Sequence, residues 1–113
     1  MHEMSLTEGV LRILEDQAAA SGFSRVTLVV LEIGALSSVD PESMRFCFEA
    51  IQRGTIAEGA TLEILRPPGR AFCAPCGGEV AIDALYDPCP RCGGHQLRVT
   101  GGEEMRVKEL EVE

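Results

Sequence analysis

Four of the five cysteines in this 113-residue chain come as two pairs, CAPC at residues 73–76 and CPRC at residues 89–92, each followed by two glycines. The full pattern, C-x2-C-x12-C-x2-C, places two thiolates on one side of each of two tight turns. The glycine after each pair permits the positive φ that lets backbone N–H groups point at sulfur. Two such turns facing each other make a tetrahedral four-sulfur site from Cys73, Cys76, Cys89 and Cys92, the geometry of structural zinc. A rubredoxin-type iron centre uses the same knuckles. Disulfide pairing is the third use of such spacing, but the fifth cysteine and the lack of a visible secretory signal speak against it. Residues 69–101 hold few large apolar side chains, so a bound zinc, worth on the order of 10 kcal/mol, is expected to help fold them.

A second candidate lies at the start, Met1-His2-Glu3. The Nδ1 atom and backbone nitrogen of His2 can close a six-membered chelate ring on a metal. The Met1 amine or the deprotonated Glu3 amide can add a five-membered ring. Three nitrogens in a plane suit nickel(II) or copper(II) rather than zinc, and the open fourth position is what a carrier needs. Ionising an amide makes such binding steeply pH-dependent. Alone, a histidine near a terminus is weak evidence, since most are solvated and idle. The other histidine, His95, follows the last knuckle; a solvated loop residue is the favoured reading, and a nitrogen ligand to nickel or a pH sensor beside the zinc are the alternatives. Glu32, Glu42 and Glu49 read as surface charges, and Cys47 as a small buried hydrophobe with no His or Lys close by to activate it. No Ser or Cys has a base beside it and no G-x-x-x-x-G-K loop occurs, so no enzyme chemistry is expected.

These groups need elements to position them. Residues 5–20 form an expected amphipathic helix with Leu6, Val10, Ile13 and Leu14 on its apolar stripe. Ser5 and Glu8 have capping-box spacing, which starts that helix near Ser5 and leaves Met1 to Glu3 ahead of it; Gly22 closes it. Residues 25–33 are β-branched and apolar on both faces, a strand in a covered sheet. Asp40 as N-cap and Pro41 as first helical residue open a second helix, with Met44, Cys47, Phe48 and Ile51 inward and Gly54 ending it. Residues 61–66 form a strand stopped by Pro67, Pro68 and Gly69, and residues 105–112 return as a third. The expected fold is α+β: two helices on a three-stranded sheet, with an inserted four-cysteine zinc-ribbon domain. The expected domains are residues 1–68 completed by 102–113, and 69–101.

Composition bounds the partners. Net charge is −8 and no segment is basic: residues 1–68 carry −5, residues 69–101 are neutral, and residues 102–113 carry −3. Binding by phosphates rests on clustered Lys and Arg, so a nucleic-acid partner is disfavoured and a cationic protein or metal ion fits better. No window approaches the about 18 apolar residues of a membrane span. A cytoplasmic protein is expected. Two other function classes fit parts of the pattern: a zinc-ribbon module for protein interaction or nucleic-acid binding, and an iron electron carrier.

Taken together, the MHE start, the helix–strand–helix–strand order, CAPC and CPRC twelve residues apart, and the closing GGEEMRVKELEVE resemble the HypA/HybF family along the whole chain. That resemblance implies a nickel metallochaperone for [NiFe]-hydrogenase maturation, with a nickel-binding domain and a smaller zinc domain inserted before the last strand. It implies His2 as the essential nickel ligand, Glu3 contributing through its backbone nitrogen or carboxylate, and Cys73, Cys76, Cys89 and Cys92 as zinc ligands. It also implies a partner GTPase, delivery into the hydrogenase large subunit and, in some bacteria, service to urease maturation.

Overall fold

The computed structural model describes residues 2–113. In chain order the elements are α1 (His2–Ser21), β1 (Val26–Ile33), α2 (Pro41–Ile51), β2 (Thr61–Leu65), β3 (Gly69–Cys73), β4 (Gly78–Ile82), β5 (Leu97–Gly101) and β6 (Met105–Val112). They make two sheets of three strands, ordered β2-β1-β6 and β4-β3-β5. The α+β fold is the expected one. The chain divides into two compact units: residues 1–31, 39–64 and 106–113 in the first, residues 32–38 and 65–105 in the second.

In the first unit α1 and α2 pack against each other, and their inner faces join the central strand in an aliphatic core that includes Val10, Leu14, Val29, Leu31, Met44 and Phe48. Cys47 is buried among these residues, as its place on the apolar stripe required. The bonds exchanged between Arg25 and Glu113 at one end, and the Gly34 N–H to Glu104 carbonyl bond at the other, set β6 antiparallel to β1.

Two helix boundaries differ from expectation. Helix α1 begins at His2 rather than near Ser5, because neither Gly nor Pro precedes Ser5 and Glu3 adds a favourable carboxylate to the first turn. Its inward line is Thr7, Val10 and Leu14, while Ile13 is 46% exposed. Thr7 can be buried there because its hydroxyl bonds back to the Glu3 and Met4 carbonyls at 3.0 and 2.8 Å. Helix α2 starts as expected, with Asp40 accepting from the Ser43 amide at 3.0 Å and Pro41 behind it. It ends at Ile51 with Gln52 as C-cap, and Gly54 falls in the following turn. Gly22, at φ 81°, closes α1 and donates to the Ala18 carbonyl.

The second unit holds structure the sequence did not announce: strands β3, β4 and β5. The Pro67-Pro68-Gly69 stop ends β2 early, at Leu65, but Gly69 then opens β3. Its backbone meets that of Gly102, where an added Cβ would sit 2.6 Å from the Gly69 Cα. The core here is small: Leu36, Ala71, Cys73, Val80, Ile82 and Cys89, flanked by Leu97 and Val99. On the outer face Arg70 pairs with Glu79 at 3.0 Å and the Arg98 guanidinium lies 5.5 Å from the Phe72 ring centre.

Candidate metal centres

Each cysteine pair sits on a tight turn built by its own backbone. The Gly77 N–H donates to the Cys73 carbonyl at 2.9 Å and the Gly93 N–H to the Cys89 carbonyl at 2.8 Å. Gly77 and Gly93 adopt φ of 68° and 74°, the left-handed geometry these turns require and glycine supplies at no steric cost. Strand β3 delivers Cys73, and a bond from the Cys89 amide to the Gly94 carbonyl, at 2.7 Å, folds the second knuckle on itself.

The four sulfurs converge. All lie within 4.8 Å of one another, with Cys73 to Cys92 at 3.7 Å and Cys76 to Cys89 at 3.9 Å. A disulfide needs about 2.05 Å, so these are four separate thiol sulfurs. A tetrahedral metal with bonds of about 2.3 Å to sulfur requires sulfur–sulfur separations of about 3.8 Å. Those two separations bracket that figure, so the donor set and its spacing fit one four-thiolate metal. Cys73 and Cys89 are buried and belong to the unit's core, while Cys76 and Cys92 are exposed.

Crowding splits the thiols electrically. The Cys89 thiol is pulled down to about 6, first by the Cys92 amide, then by the Arg91 amide, which lies 3.4 Å from its sulfur, and by the Cys73 and Cys92 thiols. Cys76 is pushed up to about 12, first by its contact with the Cys73 sulfur, with partial desolvation and the Cys92 and Cys89 sulfurs adding to it. The Cys76 amide draws the Cys73 thiol down, but burial and the Cys89 and Cys92 sulfurs outweigh it and the net direction is up. Four adjacent sulfurs do not ionise together without a cation, and a dication removes that penalty by binding all four.

The amino-terminal candidate lies in the first unit. His2 is 59% exposed at its side chain and Glu3 17%. The amides of His2 and Glu3 stand in the first turn of α1, where no helical carbonyl precedes them to accept a bond. The Glu3 carboxylate is engaged elsewhere: its Oε2 accepts from the Asp40 amide at 3.3 Å and lies 3.8 Å from His2 Nδ1. Its pKa falls below the usual carboxylate value, first through that Asp40 amide, then through its own amide and the His2 side chain. This tie between the start of α1 and the N-cap of α2 had no sequence signal, because the donor is a backbone group. The Met1 amine lies outside the described residues. His95 is exposed in irregular chain after the second knuckle.

Comparison with known proteins adds independent findings. A family model described as "Hydrogenase/urease nickel incorporation, metallochaperone, hypA" matches residues 1–112. The hydrogenase maturation factors HypA of Azotobacter vinelandii and Azotobacter chroococcum mcd 1 are 58% and 60% identical over 113 residues, with each chain covered fully. The solution structure of the Ni metallochaperone HypA from Helicobacter pylori superposes with a TM-score of 0.70 at 26% identity, covering 97% of this chain and 96% of the other.

Proposed function

The chain belongs to the HypA family of nickel metallochaperones for hydrogenase and urease maturation, and from that premise we propose that it carries nickel(II) on its amino terminus. It is a maturation factor with a four-cysteine metal site, not an enzyme.

In this reading His2 binds nickel through Nδ1 and its backbone nitrogen, and Glu3 contributes its backbone nitrogen. The observation that carries it is the exposed His2 imidazole above first-turn amides that no helical carbonyl occupies. Ionising those amides therefore breaks no bond of the α1 ladder. The Glu3 carboxylate acts indirectly, holding the start of α1 against the Asp40 amide.

Cys73, Cys76, Cys89 and Cys92 hold zinc(II), whose closed four-thiolate shell suits a structural role and supplies folding energy to the second unit. The protein works in the cytoplasm with an accessory GTPase and helps pass nickel to the [NiFe]-hydrogenase large subunit. Urease maturation proteins are the corresponding partners where urease is served. Nucleic acid is not among the partners, since net charge is −8 and both units are acidic.

The test is a calorimetric nickel titration of zinc-loaded protein with its native terminus, beside His2→Ala. One nickel should bind the native protein, and His2→Ala should lose it while keeping zinc. Equal nickel binding by both would make His2 an idle terminus.

A further inference from the structure

A groove of about 310 Å³ in the first unit is lined by Ile13 and Gln17 of α1 and by Val107, Lys108, Glu109 and Leu110 of β6. Consecutive strand residues point to opposite faces of a sheet. A groove that touches four in a row therefore runs along the strand's edge rather than over one face. Strand β6 is an end strand, paired with β1 alone in its sheet. Near the end of the strand the bonds exchanged by Arg25 and Glu113, and the Thr27 hydroxyl donating to the Glu111 carbonyl, turn Glu113 and Glu111 toward β1, so the backbone groups of Val112 and Leu110 face away from it. Apolar side chains accompany that edge: Ile13 is 46% exposed and Val112 43%. A helix, an open strand edge and an apolar trough between them are the parts of a strand-addition site.

From these features we propose that the α1–β6 groove docks an extended segment of a different protein, which adds to the sheet as a strand beside β6. Charge decides against a second copy. Two β6 strands joined across a two-fold axis must centre on one residue, which then faces itself. Centring on Arg106, Lys108, Glu109 or Glu111 sets each of those charges opposite its own copy. Centring on Val107 sets Arg106 opposite Lys108, and centring on Leu110 sets Glu109 opposite Glu111. Centring on Val112 sets Glu111 opposite Glu113, and centring on Met105 pairs no other two residues of the strand. Every register that overlaps more of the strand is penalised, so the edge is guarded against itself and open to a complementary sequence.

That complement can be written down. Antiparallel to Val112 through Met105 it runs apolar, basic, apolar, basic, acidic, apolar, acidic, apolar. Its basic residues meet Glu111 and Glu109, and its apolar ones meet Leu110 and Val107.

The test uses the full-length zinc-loaded protein and a synthetic octapeptide, VKVKEVEV, followed by backbone amide resonances. The peptide should shift resonances around Ile13, Gln17 and β6 and slow hydrogen exchange at the Leu110 and Val112 amides. The double variant Glu109→Lys/Glu111→Lys, at exposed positions, should bind the peptide at least about tenfold more weakly, and Ile13→Ser should weaken it independently. Shifts confined to other surfaces, no shifts at millimolar peptide, or unchanged binding by both variants would overturn the proposal. So would a concentration-dependent dimer whose perturbed resonances lie on β6, since the occupant would then be a second copy.

Discussion

At the scale of single residues, Glu3 shows how one side chain sets up another's chemistry. Its carboxylate sits on the Asp40 amide and beside the His2 imidazole, and those contacts lower its pKa. A depressed carboxylate pKa stabilises the fold at pH above the ordinary value, and that contribution disappears as pH falls through the depressed one. The Asp40 amide resonance should therefore hold steady from neutral pH down through the ordinary carboxylate range. It should move only below that range, and the movement should vanish in Glu3→Gln. A shift centred at the ordinary glutamate value would mean that the carboxylate is not held. The contact itself was illegible in the sequence. Glu3 and Asp40 are 37 positions apart and the donor is a backbone N–H, which no residue type signals. The cysteines are the opposite case, because their spacing alone named both the turns and the glycines that close them.

At the scale of elements, α2 is where local sequence and observed structure agree most closely. Asp40 caps it through the Ser43 amide at 3.0 Å and the Ser43 hydroxyl at 2.7 Å. Asp40→Ala removes the cap while leaving the backbone amide that binds Glu3, and should destabilise the protein by about 1 kcal/mol. Thermal unfolding should then fall by about 4 °C; an unchanged midpoint would show that the cap is replaced by water. Helix α1 was legible in existence but not in start or facing. Ser5 and Glu8 have the spacing of a cap, yet nothing upstream prevents helical geometry, so the helix continues to His2. The inward place taken by polar Thr7 depends on a bond to its own helix that an apolar-stripe reading does not anticipate. Strands β3 to β5 were missed because each has five residues and their buried positions hold Ala71, Cys73, Val80 and Ile82, too few and too small for a clear period-two signal.

At the scale of the whole molecule, the two units are stabilised differently. The first has an aliphatic core shared by two helices and a sheet. In the second, two metal-ligand candidates, Cys73 and Cys89, are themselves core residues. Stripping the metal with a strong chelator under reducing conditions should collapse the amide dispersion of residues 65–105 while leaving helical circular dichroism largely intact. Retention of that dispersion would show that the small core suffices without metal. The central claim is that two different metals occupy two chemically different sites. X-ray absorption on protein carrying one zinc and one nickel tests it most directly. Four sulfurs at about 2.3 Å are expected around zinc and only nitrogen or oxygen, in a planar arrangement, around nickel. Sulfur in the nickel shell would contradict it, because the cargo would then reside on the cysteines rather than at His2.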